Sequence, residues 1–182
     1  MKKKKRIIAL DVGTKTIGIA ITDELLITAQ GLETYKRTGI KKDTDYIISL
    51  IKEKDCGTLV IGLPLNLDGT DSIQTEKVRA FREKLENKMR SNALVDVMLA
   101  WQDERYSTVE AEDVLIAANL SREERKRVID KQAAIVILQS YMDRIEHMEK
   151  MKARKGQENL DVKSEEFSGE VIKNSSNRYF DD

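Results

Sequence analysis

The stretch that most restricts what this chain can become is residues 7–23, IIALDVGTKTIGIAITD. Two short apolar runs, Ile7–Leu10 and Ile17–Ile21, are separated by Asp11, Val12, Gly13, Thr14, Lys15 and Thr16. Short aliphatic runs bounded by Gly and Thr read as buried strands. Gly13 suits a tight return between them. The chain must therefore close around a buried hairpin, and that hairpin carries a carboxylate to a strand end. Either Asp11 only opens the turn, or it is held at a sheet edge for chemistry.

The remaining pattern alternates. Strands are expected over 6–10, 16–23 and about 27–35. Tyr46, Ile47, Leu50 and Ile51 recur at helical spacing within 43–54, and Thr58–Ile61 is again a buried-strand run. Gly62 to Thr70 reads as a loop and holds the chain's single proline, Pro64. A charged helix over 72–90 has Ile73, Val78, Phe81 and Leu85 as its inner stripe, and a strand follows over 94–101. Ser107 or Thr108 opens a helix to about Ala118, and Ser121 with Glu124 forms a capping box before a short basic turn. The last helix runs from about Asp130 to Lys150. Residues 1–150 thus read as one α/β domain, its sheet half antiparallel and half parallel. Residues 151–182 carry few apolar groups and read as a disordered, charged tail.

Composition removes several classes of function. Basic and acidic residues number 32 each, so any nucleic-acid-binding surface must be local rather than a property of the whole charge. The single cysteine, Cys56, rules out an internal disulfide framework and fits a reducing cytoplasm. The single histidine, His147, stands far along a charged helix, which argues against zinc sites and Ser-His-Asp chemistry. The basic start, Lys2 to Arg6, leads into a short strand and not a signal peptide, and no run is long enough to span a membrane.

Three carboxylates are candidates for one site. Asp11 ends the first strand, and Glu104 follows the strand over 94–101. Asp130 lies three and four residues before Ala133 and Ala134, so it projects from the helix face that meets the sheet. Each has a plain alternative: a turn opener, a surface partner of Arg105, and an N-cap. Together they suit a hard divalent cation, because a buried carboxylate is costly unless charge offsets it. Oxygen ligands without His or Cys select Mg²⁺ or Mn²⁺. Asp-x-Gly-Thr also opens phosphate loops in actin-like and sugar-kinase folds, but those need a second such domain.

The quoted motifs bring a family into view. LDVGTKTIGIAITD, VIGLPLNLDGT, DERYSTVEAE and DKQAAIVILQSYMD, spread over residues 5–145, resemble the YqgF family, also called RuvX. Its members are ribonuclease H-like relatives of RuvC, described as Holliday junction resolvases or pre-16S rRNA nucleases. The resemblance implies a five-stranded mixed sheet, its first three strands antiparallel, flanked by helices. It implies Asp11, Glu104 and Asp130 as catalytic residues and metal ligands. RuvC carries a further helix carboxylate one turn on, where Ala133 or Ala134 stands here. Thr14, Lys15, Asn66, Arg105 and Arg125 are candidates for holding nucleic acid. Trp101 and Tyr106 are candidates for stacking on a base, with a core role the better reading of Trp101.

The expected function is a cytoplasmic, Mg²⁺- or Mn²⁺-dependent endonuclease on structured RNA in ribosome maturation. A four-way DNA junction is the alternative substrate. A weakly catalytic nucleic-acid-binding factor is the alternative of another class, favoured by the missing fourth acid. With no apolar face left over for an obligate interface, a monomer or weak dimer is expected.

Overall fold

The computed structural model describes residues 5–104 and 128–154. Three strands open the chain: β1 (Arg6–Val12), β2 (Thr16–Thr22) and β3 (Ala29–Lys36). After them come α1 (Ile40–Glu53), β4 (Cys56–Leu63), α2 (Ile73–Ser91) and β5 (Met98–Asp103). A final helix, α3, covers 128–154. The chain divides after Tyr141 into two compact units. The first holds the sheet; within the second, the described residues 142–154 are helical. The expected helix over 107–118, the capping box at Ser121 and all but the first four residues of the expected tail lie outside the described residues. Among the described residues no helix is long and apolar enough to cross a membrane.

The sheet order is β3-β2-β1-β4-β5. β1 pairs antiparallel with β2, and β2 with β3, whereas β4 lies parallel to β1 and β5 parallel to β4. This is a five-stranded mixed sheet with its first three strands antiparallel, as the family resemblance implied. β1 sits in the middle, and its C-terminal end carries Asp11.

Alternation along the strands sorts the two faces. On one face Ile8, Leu10, Ile17, Ile19, Leu59 and Ile61 are fully buried against α1 and α2. On the other face the side chains are small: Ala9, Ala20 and Val60 are buried, with Gly18, Gly31 and Gly62 beside them. That economy admits α3 very close to the sheet. A Cβ placed on Gly18 would stand 2.0 Å from the Asp130 carbonyl oxygen, and one on Gly31 2.6 Å from Lys131 Cγ. Ala134, Ile137, Leu138 and Tyr141 form the buried stripe of α3.

Some boundaries shift for local reasons. α1 begins three residues before the expected start, because the Asp43 carboxylate reaches back to accept from the Thr38 and Gly39 amides at 2.9 and 3.2 Å. β5 begins at Met98 rather than at residue 94, since Leu94 N donates to Met89 O at 3.0 Å and closes the end of α2. Ile73, expected in the inner stripe of α2, is 75% exposed. A capping box between Ser72 and Thr75 turns Thr75 inward instead.

Gly18→Ala should destabilise the protein by roughly 3 kcal/mol, the upper range for overpacking, because backbone must move and not a side-chain tip. Urea unfolding followed by circular dichroism checks this. A variant as stable as the parent would contradict the close approach of α3.

Candidate active site

Asp11 is half-buried next to the end of β1 and has a glycine on each side. Gly18 faces it across β2, and the parallel register that pairs Leu10 with Ile61 sets Gly62 beside it on β4. Each glycine leaves space that a second acid uses. Glu104 follows β5 directly, and its amide donates to Leu63 O at 3.3 Å. Its carboxylate lies over Gly62, where a Cβ would stand 1.7 Å from Oε1. Asp130, in α3, packs its carbonyl over Gly18. Its carboxylate accepts a hydrogen bond from the Thr16 hydroxyl at 2.6 Å.

The three acids are close enough to disturb one another. Burial pushes the Asp11 carboxyl up to about 6, and the charge of Asp130 adds to the rise. Burial pushes Glu104 up to about 8, with the charges of Asp11 and Asp103 adding to it. Asp11 thus stands electrostatically between the other two. Among the described residues no three acidic, His or Cys side chains close around a single point. A shared ion therefore requires one carboxylate to turn. The donor set is all oxygen and mutually repelling, which suits Mg²⁺ or Mn²⁺ in kind.

The turn after Asp11 is fixed from outside the hairpin. Gln74 Nε2 donates to Val12 O at 2.8 Å, and Arg37 Nη1 donates to Gly13 O at 2.7 Å. The Arg37 amide donates to Lys15 O at 2.9 Å. Its guanidinium is itself held by Asp43, at 2.8 Å from Nε to Oδ2, and lies 5.2 Å from the centre of the Phe81 ring. Asp43 is fully buried. The ordinary sequence signals for such a clamp are weak, since Arg37 reads as a loop cation and Asp43 as a helix start. Gly62, expected at the start of a loop, lies inside β4, as Gly18 lies inside β2, and a glycine inside a buried strand is a sign of close backbone approach.

The other expected residues fall in different places. Thr14 and Lys15 are exposed at the tip of the turn. Thr16, at the start of β2, gives its hydroxyl to Asp130. Asn66 is exposed in the loop after β4, and its amide donates to the Thr70 hydroxyl at 2.9 Å, shaping that loop. Trp101 packs against the core with the Arg82 guanidinium 4.4 Å from its ring centre. Arg105, Tyr106, Arg125 and the rest of the basic turn lie outside the described residues.

Two measurements probe this geometry. Arg37→Ala leaves Asp43 buried without its cation and should cost roughly 3–5 kcal/mol in denaturant unfolding. The second concerns pH. A carboxyl whose folded pKa lies above its unfolded one binds its proton more tightly when folded. Ion-free protein should therefore lose stability as pH rises from about 4 through about 6 and on to about 8. Glu104→Gln in chelator should flatten the upper part of that loss and gain on the order of 1–3 kcal/mol at pH 8. Thermal melts across pH 5–9 read the difference.

Three acidic residues thus lie near one edge of the α/β sheet, beside a clamped turn. Residues 5–144 match the model of the family described as "RuvX: Holliday junction resolvase". The chain belongs to the RuvX family. Among its relatives, a protein of Desulforamulus reducens named "Putative pre-16S rRNA nuclease" is 49% identical over 138 residues, which is 76% of this chain and 96% of the relative. One of the same name from Clostridioides difficile is also 49% identical over 138 residues, covering 76% and 94%. Among solved structures, T. thermophilus RuvC in complex with a Holliday junction substrate is similar at 11% identity and a TM-score of 0.49, over 75% of this chain and 94% of that one.

Proposed function

We propose that this protein is a nuclease that hydrolyses phosphodiester bonds at the 5′ end of pre-16S rRNA, in the cytoplasm. The observation that carries the reading is the convergence of Asp11, Glu104 and Asp130 on one sheet edge, with burial and mutual repulsion raising Asp11 and Glu104. A divalent cation, Mg²⁺ or Mn²⁺, held by those three carboxylates would supply an activated water and charge stabilisation on the leaving oxygen. The chain's own residues do the rest. The Thr16 hydroxyl orients the Asp130 carboxylate. Arg37 and Gln74 hold the carbonyls of the turn, so that Asp11 keeps its direction without reorganisation. Thr14 and Lys15, exposed on that turn, offer donors to a backbone phosphate. Arg105 and Arg125 are assigned to the same task by the motifs they stand in.

Resolution of a four-way DNA junction is the second reading, favoured by the description of the family model. A resolvase must present two sites related by a two-fold axis, so its rate follows a dimer equilibrium. A single-groove RNA nuclease does not need one, and a monomer or weak dimer suffices.

The test is cleavage of a pre-16S rRNA 5′ fragment and of a four-way junction, each with Mn²⁺ or Mg²⁺, across a series of protein concentrations. RNA cleavage independent of dimer formation is expected. Asp11→Asn should abolish it while leaving the fold at least as stable in chelator, since a repelled carboxylate is lost. Paired symmetric nicks in the junction with RNA untouched would transfer the assignment to DNA. Equal turnover by Asp11→Asn would remove Asp11 from the site.

A further inference from the structure

Beside the turn that carries Asp11 lies a cleft of about 420 Å³, lined by Thr14, Arg37, Gly39, Ile40, Asp43, Lys77 and Ala80. It lies between the first turn of α1, the hairpin tip and one flank of α2. Its volume falls within the range of small-ligand sites, about 300–1,000 Å³. The charge of its lining is positive. Asp43 is the single acid among the described residues of the lining, and its carboxylate is consumed by Arg37 and by the Thr38 and Gly39 amides. Lys77 is exposed, as are Lys15 next to Thr14 and Lys36 next to Arg37. No ion pair engages Lys15, Lys36 or Lys77 among the described residues. Lys77 is thus an uncommitted cation in the lining, in a chain whose basic and acidic residues balance, and Lys15 is exposed on the adjoining turn.

The geometry points to this cleft as a seat for the sugar-phosphate backbone of the nucleic-acid substrate, with Lys77 as its principal cation and Thr14 as a hydroxyl donor. This rests on the nuclease reading and extends it to the path the strand takes. Thr14 is three residues from Asp11, a span of at most about 10 Å along the chain; the cleft opens on the α1 and α2 face and the acids lie on the α3 face, so a strand that joins them passes over the hairpin tip. A strand that crosses the tip from the acids meets Thr14 first and Lys77 beyond it. Among the described residues no aromatic side chain lines it, so they can hold sugar and phosphate but offer bases no stacking platform. The grip is independent of sequence and carries the salt dependence of phosphate binding.

Anisotropy of a fluorescein-labelled RNA hairpin with a single-stranded 5′ extension, in chelator to prevent cleavage, tests the assignment. Parent, Lys77→Gln and Lys54→Gln are titrated across a salt series. Lys54, just past α1 at its C-terminal end, serves as a control with the same loss of charge. Lys77→Gln should weaken binding severalfold and lower the slope of log K against log salt by about 1. Lys54→Gln should leave both unchanged. Lys77 is exposed, and equal thermal melts of parent and variant will show that folding is not the cause. If the parent binds and cuts RNA while Lys77→Gln matches it in affinity and slope, the cleft is wrong and the nuclease reading stands. Equal losses in both variants would mean diffuse attraction and would also overturn the cleft. A parent that neither binds nor cuts RNA or a DNA junction overturns both.

Discussion

The closeness of α3 to the sheet governs this structure. The Asp130 carbonyl occupies the space that any side chain on Gly18 would need. That contact brings the helix within reach of β2, so the Thr16 hydroxyl can bond the Asp130 carboxylate. It also sets Asp130 close enough to Asp11 for their charges to act on one another. A helix on larger residues would ride farther out, as α1 and α2 do on the isoleucine- and leucine-rich face. There, burial of aliphatic area supplies the stability. On the α3 face the small residues contribute less area and more precision, and the acidic site lies on that face.

Stability and function are distributed unevenly around Asp11. The carboxylates oppose folding while no cation offsets them, since burial and repulsion raise both Asp11 and Glu104. The buried Arg37–Asp43 pair works against that cost at the turn. It ties the Gly13 carbonyl to the start of α1, and Gln74 ties the Val12 carbonyl to α2. The hairpin tip is therefore braced by the two helices of the aliphatic face, while its carboxylate points to the other. Strain and support come from opposite sides of one sheet.

Much of this was legible in the residues. Apolar runs leading to Asp11 and Glu104 marked β1 and β5, though not their exact ends, and of the stripe Ala133, Ala134, Ile137, Leu138, Tyr141 and Ile145 expected on the inner face of α3, Ala134, Ile137, Leu138 and Tyr141 are buried. Periodicity reports burial well because burial follows the period of the element. What stayed hidden depends on partners far along the chain. Nothing near Arg37 announces that its guanidinium meets Gly13, and nothing near Gly62 announces that Glu104 will lie over it. Glycines look like weakness in a strand pattern, and only the assembled sheet shows the space they clear. Ile73 differs for a local reason, since the Ser72–Thr75 box, three residues apart, decides which way the first turn of α2 faces.

The bond between Thr16 and Asp130 joins residues 114 positions apart. The hairpin around Asp11 is local and can form early, whereas α3 closes over it only after nearly all of the domain has been made. While the chain is still leaving the ribosome, the acidic site is therefore incomplete. On the proposed reading, the third acid joins the other two only when synthesis of the domain is almost finished.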